Sequence, residues 1–248
     1  MKVNHYDFIH KNLDNQTQDG WADLPLGYRW MTKCQSSSYR TTTKELYKNI
    51  KDDGMIPGGE FQLSCLLSVI QNIHKEKINV FELGSGWGRI CLNIAGAVDF
   101  DLIDCSPKSY NLLAVEAEPT HYKWLKEHFE SQNINATAVF AAISNSIGKC
   151  QFDTGSSDPD AEYGQSISNM IKPNGIPSIT GIFNYLSKKS LKVPMLTVDH
   201  LCEKYNFNHV DIVQMDVQGA EFDVLEGSKE TIKKGGIDYF LINIQTQN

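Results

Sequence analysis

The apolar and polar positions along the chain predict strands that alternate with helices. Short apolar runs of strand length occur at residues 80–83, 112–116, 136–141, 210–216 and 239–244. Segments with apolar residues at helical spacing separate several of them, at residues 89–97, 120–131, 200–205 and 220–234. Because the connection between parallel strands must cover a face of the sheet, this order predicts an α/β fold with a mostly parallel sheet and helices on both faces.

The chain before residue 58 lacks this alternation. Residues 1–57 are polar and aromatic-rich, with a short helix predicted at 44–52, so we expect an N-terminal extension or accessory arm. Its aromatic residues Trp21, Tyr28 and Trp30 would cover the chain's own sheet or a neighbouring subunit, which makes a homo-oligomer one expectation. A helix at 60–74 opens the main domain, which we place at residues 58–248.

Two segments interrupt the alternating scheme. Residues 98–111 separate the helix predicted at 89–97 from the strand predicted at 112–116. Residues 153–191 are rich in Gly, Ser, Pro and Asn, which indicates a long surface excursion that would carry substrate contacts. Gly235 and Gly236 follow the last long helix, where a glycine typically ends a helix.

Composition limits the classes of partner. The chain has 23 Lys and Arg against 30 Asp and Glu, without a long basic run, so we expect no nucleic-acid partner. Its six cysteines are scattered without metal-ligand spacing, which is typical of reduced thiols. No uncharged apolar run approaches the roughly 20 residues of a membrane span. We therefore expect a soluble, cytoplasmic protein with no membrane partner.

The segment INVFELGSGWGRI, residues 78–90, predicts a buried strand, a glycine-rich turn and a helix. Gly84, Gly86 and Gly88, with Ser85 between them, allow close approach of a ligand, and Glu82 can accept hydrogen bonds. A dinucleotide fingerprint would need glycine at position 89, which is Arg89. This pattern favours a nucleoside-bearing cofactor other than a dinucleotide.

An acidic residue at the end of the next strand is a candidate ribose ligand. Glu116 closes an apolar run, and a carboxylate there can accept both ribose hydroxyls. It lies farther from Gly88 than the usual spacing of about 20 residues, and the extra residues 98–111 would account for the excess. Asp104 also ends an apolar run and is the rival candidate. A solvated acid at a strand end is the alternative interpretation of both.

Two further strand ends carry candidate residues. After the third strand, Ala142 and Ser144 offer a small side chain and a hydroxyl that suit the edge of an adenine, although a plain hairpin explains them equally well. After the fourth strand, Asp216 and Glu221 surround a Gly turn where a catalytic base is needed. A capped turn and a favourable helix dipole are their structural alternatives. His121 is a third candidate base.

Five segments in this order resemble the FkbM family of S-adenosylmethionine-dependent methyltransferases. They read FELGSGWGR, VEAEPTHYKWLKEHF, AAISNSIGKCQF, EYGQSI and, after LTVDHL, VDIVQMDVQGAEFDVLEG. The resemblance covers about residues 80–245, and the last segment is its most specific part. The family pattern usually continues past the fifth strand, so we expect a shortened C-terminal edge of the sheet.

The resemblance implies a Rossmann-like class I methyltransferase fold, S-adenosylmethionine as the cofactor, and O-methylation of a sugar, glycan or natural product. It implies cofactor roles for the glycine-rich segment and Glu116, and an active-site role for Asp216 and Glu221. In such a reaction a base removes the proton of the acceptor hydroxyl as the new C–O bond forms. The same two carboxylates would alternatively hold a divalent cation that acidifies the hydroxyl.

Two other classes remain as alternatives. A nicotinamide-dependent oxidoreductase would use a similar sheet, and Arg89 argues against it. A non-catalytic glycan-binding or scaffold protein would keep the fold without turnover.

Overall fold

Five parallel strands form the centre of the molecule, and from one edge of the sheet to the other they are Ile237–Ile242, Val210–Met215, Lys77–Leu83, Ser109–Glu116 and Ala136–Phe140. The computed structural model describes residues 20–24, 26–34, 58–101, 107–153, 170–171 and 190–244. The strands are β1 (Trp21–Asp23), β2 (Arg29–Met31), β3 (Lys77–Leu83), β4 (Ser109–Glu116), β5 (Ala136–Phe140), β6 (Ala142–Ile143), β7 (Gly148–Asp153), β8 (Met170–Ile171), β9 (Ser190–Leu196), β10 (Val210–Met215) and β11 (Ile237–Ile242). All five predicted strands are confirmed, with ends shifted by up to three residues.

Helices cover both faces of this sheet. They are α1 (Gly58–Gln71), α2 (Arg89–Asp99), α3 (Pro119–Ser131), α4 (Val198–Lys204), α5 (Glu221–Glu226) and α6 (Lys229–Lys233). Apolar residues of α1, α2 and α3 share one buried cluster with one face of the strands, and residues of α4 and α5 share another with the opposite face. The predicted α/β architecture is therefore confirmed.

The side chains of β3 show how the sequence divides these two layers. Ile78 and Val80 belong to the cluster under α1–α3, whereas Phe81 and Leu83 belong to the cluster under α4 and α5. Successive strand side chains point to opposite faces. A strand apolar on both faces can only be stable between two helical layers.

A small second sheet follows β5, with the strand order β6-β9-β7-β8. It has its own apolar cluster, which includes Cys150, Phe152, Val193 and Met195. The predicted excursion at 153–191 falls largely outside the described residues, as do the segment EYGQSI and the helix expected at 44–52. The described part gives the excursion a base of paired strands, because β7 and β9 are antiparallel neighbours.

The prediction of one continuous helix at residues 220–234 was wrong. The helix expected at 220–234 is divided into α5 and α6 at Gly227 and Ser228. Gly227 packs against the main chain of Ser144, and a Cβ atom there would lie 2.2 Å from the Ser144 carbonyl oxygen. This long-range contact interrupts the helix. The C-terminal end of α6 is as predicted, because Gly235 follows this helix with a left-handed φ of 65°.

The segment expected at residues 98–111 is shorter in the structure. Helix α2 continues to Asp99 and strand β4 begins at Ser109, so residues 100–108 connect them. Residues 102–106 lie outside the described ranges, and the rival ribose ligand Asp104 with them. Apolar residues at both ends of the predicted segment, such as Val98 and Tyr110, are buried in the core.

Residues 20–24 and 26–34 of the N-terminal arm pack against the chain's own domain. The hairpin of β1 and β2 shares the cluster of α1–α3 through Leu24, Leu26 and Met31.

Cys34, Cys65, Cys91, Cys150 and Cys202 are free thiols, and Cys105 is outside the described residues. Among the described residues, none of the helices has both the length and the apolar character that a membrane crossing needs.

Candidate cofactor and acceptor site

The carboxyl ends of β3 and β10 meet where the sheet reverses its direction of growth. The chain passes from β3 to β4 on one side, and later returns to place β10 on the other side of β3. In open α/β sheets, ligands bind at this reversal. The two strand ends touch here, because a Cβ atom on Gly84 would lie 2.2 Å from the carbonyl oxygen of Asp216.

Gly84 and Ser85 make the turn that leaves β3. Gly84 has a φ of 72°, a left-handed conformation that favours glycine. Both backbone N–H groups donate to the carbonyl oxygen of Val115 at 3.0 Å, and the Ser85 hydroxyl also lies 3.2 Å from it. The predicted cofactor residue Ser85 is buried and holds the turn against β4.

Gly88 determines how helix α2 begins. Its φ is 88°, and a Cβ atom would lie 2.6 Å from Cδ1 of Leu125 and 3.3 Å from a ring carbon of Phe129. Glycine is therefore required both by the backbone and by packing against α3. This requirement accounts for the third glycine of the segment at position 88.

Glu82 lies beneath the glycine-rich turn, facing α2. Its carboxylate accepts hydrogen bonds from the backbone N–H groups of Ile90 at 3.2 Å and Cys91 at 2.9 Å. Burial raises the pKa of Glu82 to about 7, against the lowering effect of these hydrogen bonds. The residue expected to touch the cofactor thus satisfies the open N–H groups of the first helical turn.

Glu116 closes β4 and connects it to the glycine-rich turn. Its Oε2 accepts the Gly86 N–H at 2.6 Å, and its Oε1 accepts the N–H groups of Ala117 at 3.0 Å and Glu118 at 2.8 Å. Burial raises the pKa of Glu116. Since a carboxylate offers about four lone-pair sites, Oε2 is the oxygen with capacity for a ribose hydroxyl.

Ala142 and Ser144 extend this edge toward α5. The N–H of Ala141 donates to the Glu116 carbonyl oxygen at 3.1 Å, so the buried Ala142 follows directly beside the ribose candidate. Ser144 is also buried, and its N–H donates to the Leu196 carbonyl oxygen at 2.9 Å. Ala142 therefore lies next to the end of β4, and Ser144 packs its carbonyl oxygen against Gly227.

Asp216 follows β10 and is held by two side-chain amides. Its Oδ1 accepts a hydrogen bond from Nε2 of Gln218 at 2.8 Å, and its Oδ2 accepts one from Nδ2 of Asn243 at 2.9 Å. Neither amide was predicted from the sequence. Asn243 fell inside the strand expected at 239–244, and a polar residue just after an apolar run was the only available signal.

Glu221 begins α5 and holds the turn between β10 and that helix. Its Oε1 accepts the Gly219 N–H at 2.9 Å, and its side chain is buried. The turn contains Gln218 with a φ of 52°, a conformation that non-glycine residues rarely adopt. Strained backbone of this kind persists where the surroundings fix it, and often at functional sites.

Contacts join these segments into a ring around the crevice, which we call the site rim. It runs from Gly86 through Glu116, Ala142 and Ser144 to Gly227, and returns through α5, Asp216 and Gly84. A hydrogen bond of 3.0 Å from Asn145 Nδ2 to Asp223 Oδ1 also links the β6 end to α5. Phe222 on this helix is 83% exposed.

The third candidate base, His121, lies on the side of Glu116. It occupies the first turn of α3, with its Nδ1 at 3.9 Å from Oε2 of Glu118. Strands β4 and β10 flank β3, so with neighbouring strands about 4.8 Å apart their ends are about 10 Å from each other. His121 is therefore grouped with the predicted ribose ligand rather than with Asp216.

Within the described ranges, the side chains grouped closely enough for a metal ion are His209, Asp211 and Asp238. They lie at the amino ends of β10 and β11, the edge opposite Asp216. The Lys75 ammonium bonds to both carboxylates there, and its hydrogen bond to Asp211 raises the pKa of Lys75. Lysine already supplies the positive charge, so this group reads as a structural ion-pair network.

Solved structures similar to this chain include two METTL16 structures, each at 11% sequence identity. A METTL16 MTase domain matches with a TM-score of 0.37 over 96% of this chain and 72% of that chain. The N-terminal domain of human METTL16 in complex with SAH matches with a TM-score of 0.30 over 76% of this chain and 58% of that chain.

Sequence comparisons give a curated relative and a family. The 2-O-methyltransferase NoeI of Sinorhizobium fredii is 30% identical over 100 residues, which span 38% of this chain and 37% of NoeI. The Methyltransferase FkbM domain matches residues 92–247. That match begins inside α2, so the glycine-rich turn before it is supported by its geometry. With the parallel sheet and the helices on both faces, the chain belongs to the FkbM methyltransferase family and has its Rossmann-like fold.

Proposed function

We propose that this protein is an S-adenosylmethionine-dependent O-methyltransferase that acts on a hydroxyl group of a sugar, glycan or related natural product. We call the part of the site rim from Gly84 through Glu116 to Ser144, with Glu82 beneath it, the cofactor side. The observation that carries the proposal is the Glu116 carboxylate, which accepts the Gly86 N–H at 2.6 Å within this side. Gly84 then brings the end of β10, with Asp216, against the same turn.

The residues of the cofactor side fit an adenosyl group. Gly84 and Gly88 remove the Cβ atoms that would block the turn, and the carboxylate of Glu116 provides an acceptor for a ribose hydroxyl. Ala142 adds a small side chain beside Glu116, as the edge of a base requires. S-adenosylmethionine, when bound, supplies an electrophilic methyl group that an acceptor oxygen attacks in line with the departing sulfur.

Asp216 is our candidate for the base that accepts the hydroxyl proton. The amides of Gln218 and Asn243 fix its carboxylate, so the proton acceptor is oriented before the acceptor molecule arrives. Glu221 is already bonded to the Gly219 N–H, and we assign it the positioning of the turn that carries Gln218. His121 then contributes to the charge around Glu116 and not to proton removal.

The acceptor side of the site rim, which comprises Asp216 and α5, suits a carbohydrate acceptor. We assign the ring of Phe222 to this side, because it is 83% exposed and lies one residue after Glu221 in the first turn of α5. A sugar presents C–H groups on its face and hydroxyls at its edge, which suits an aromatic ring beside hydrogen-bonding groups. NoeI is a 2-O-methyltransferase, which agrees with transfer to oxygen.

The test is turnover with a methyl-labelled donor. The purified protein is incubated with labelled S-adenosylmethionine and a panel of mono- and oligosaccharides, and products are resolved by mass spectrometry. We expect label on an acceptor oxygen together with S-adenosylhomocysteine. Label on nitrogen or carbon would reject O-methylation, and label on a non-carbohydrate hydroxyl only would reject the sugar.

Calorimetry with S-adenosylhomocysteine separates an enzyme from a binding protein of the same fold. Absence of heat at millimolar ligand would reject the cofactor and favour a glycan-binding or scaffold role. A parallel assay with EDTA tests the cation, since loss of activity that Mg²⁺ restores would require a metal beside Asp216.

A further inference from the structure

Side chains of α3 hold strand β2 of the N-terminal arm. The Gln132 amide binds both backbone groups of Arg29: its Oε1 accepts the N–H at 2.6 Å and its Nε2 donates to the carbonyl oxygen at 2.8 Å. Nε2 of His128 accepts the Met31 N–H at 2.8 Å. Residues four apart share a helix face, and alternate strand residues present their backbone groups on one side, so the two spacings match.

The other nitrogen of His128 reaches the glycine-rich turn. Its Nδ1 lies 2.9 Å from the carbonyl oxygen of Trp87. Because Nε2 accepts from Met31, Nδ1 must carry the proton and donate to Trp87. Burial lowers the pKa of His128 to about 4, which keeps this neutral tautomer at physiological pH.

Aromatic packing reinforces the same connection. The indole of Trp30 in β2 stacks on that of Trp87, with centroids 5.4 Å apart and planes 21° apart. Trp21 in β1 meets the His128 ring edge-on at 5.5 Å. Trp87 is only 2% exposed although it stands between Gly86 and Gly88 in the turn.

We infer that the described arm residues 20–24 and 26–34, together with His128 of α3, form a positioning clamp for the cofactor turn, with Trp30 and His128 as its positioning residues. The clamp fixes Trp87, and thereby the adjacent Gly86 N–H that bonds to the proposed ribose ligand Glu116. This inference rests on the proposed function. It assigns a role to a part of the chain that precedes the family match at residues 92–247. By linkage, a docked arm strengthens cofactor binding and bound cofactor strengthens arm docking.

The experiment measures S-adenosylhomocysteine affinity by calorimetry on the full chain, with a melting temperature for each variant. Trp30→Leu removes the stack on Trp87 while retaining an apolar side chain. Tyr28→Phe is the matched control in the same arm, because its hydroxyl bonds to Oδ2 of Asp99 at 2.8 Å, at the far end of α2. We expect Trp30→Leu to weaken affinity at least about fivefold, the low end of typical coupling, and Tyr28→Phe to change it less than about twofold.

Two variants of His128 divide its two hydrogen bonds. The shorter Asn amide reaches toward Trp87 like Nδ1, and the longer Gln amide reaches toward Met31 like Nε2. A clamp needs both bonds, so His128→Asn and His128→Gln should each weaken affinity at least about fivefold. If His128 served only to anchor Trp87, the Asn amide would replace that hydrogen bond, and His128→Asn would bind as tightly as wild type.

The outcomes distinguish the clamp from the function it serves. Wild type without measurable affinity overturns the proposed function and the clamp together. Wild type that binds, with Trp30→Leu or His128→Asn binding equally well, overturns the clamp alone. Equal weakening by Trp30→Leu and Tyr28→Phe, in proportion to their melting temperatures, also overturns it, because the arm would then act only through stability.

Discussion

The cofactor side and the acceptor side of the site rim differ in the kind of group that bonds to their carboxylates. On the cofactor side, the buried carboxylates of Glu82 and Glu116 together accept five backbone N–H groups. On the acceptor side, Asp216 is half-buried, two side-chain amides donate to its carboxylate, and Phe222 is exposed.

This difference corresponds to two kinds of ligand. Backbone N–H groups are fixed by the fold, so a site built from them is preorganised for one constant molecule. Side-chain amides and an exposed ring adapt more easily, and surface segments such as the small sheet beside α5 tolerate change. The common methyl donor would meet the rigid side, and the variable acceptor would meet the adaptable one.

The largest expected effect separates the two sides. Asp216→Asn removes the proposed base but keeps the shape of the side chain. Turnover should fall by about 100-fold or more, the usual contribution of general base catalysis. Affinity for S-adenosylhomocysteine should stay within a few-fold, because the cofactor side is untouched. Kinetics paired with calorimetry checks this, and an active variant would remove Asp216 from the mechanism.

Gly84→Ala should damage both sides at once, because Gly84 joins them. The left-handed φ of 72° costs a non-glycine residue about 1–2 kcal/mol, and overlap with the Asp216 carbonyl adds about 1–3 kcal/mol. We expect both a lower free energy of unfolding and weaker cofactor binding. Gly20→Ala is the control, since it has a φ of 80° but no atom within 4 Å of its Cβ position. Similar losses in both variants would mean that strain alone matters.

The strand-end acids were predictable from the sequence because each terminates an apolar run. Glu116 and Asp216 both follow this rule, and parallel strands bring such ends to one edge of the sheet. The function of Glu82 in binding α2 was not predictable, because strand periodicity does not specify hydrogen-bond partners. The sequence indicates which residues reach the edge, but not which of them the fold has already bonded.

Long-range contacts account for the remaining errors. The break between α5 and α6 depends on Ser144 meeting Gly227, which a helical pattern cannot reveal. The bond between His128 and Met31 likewise joins residues 97 positions apart. His128 stands within a predicted helix, where its spacing indicated only an ordinary helix position.

A pH titration of stability should sharpen the comparison, because the cofactor side holds two groups with opposite effects. Glu82 has a folded pKa of about 7 against 4.5 for the free side chain, so its contribution is complete below pH 4.5 and is lost as pH rises to 7. His128 has a folded pKa of about 4 against 6.5, so its contribution is complete above pH 6.5 and is lost as pH falls to 4.

Between pH 4.5 and 6.5 the contributions of Glu82 and His128 should offset each other, each changing the free energy of unfolding by about 1.4 kcal/mol per pH unit. Glu116, whose pKa burial also raises, acts in the same direction as Glu82 in every variant. Relative to wild type, Glu82→Gln should therefore make the slope of stability against pH more positive by about 1.4 kcal/mol per pH unit. His128→Asn should leave the Glu82 effect, so that stability falls with pH. Urea unfolding at several pH values measures both slopes, and slopes that match wild type would contradict the assigned pKa shifts.

The smallest effect should come from Phe222→Ala on the acceptor side. Because Phe222 is 83% exposed, its removal should change the free energy of unfolding by less than about 0.5 kcal/mol. Loss of a stacking surface worth about 1 kcal/mol should raise the acceptor KM about fivefold and leave S-adenosylhomocysteine affinity unchanged. Ile232→Ala is a matched control, because this exposed apolar residue lies in α6. An unchanged KM in Phe222→Ala, or an equal rise in the control, would show that the acceptor does not use this ring.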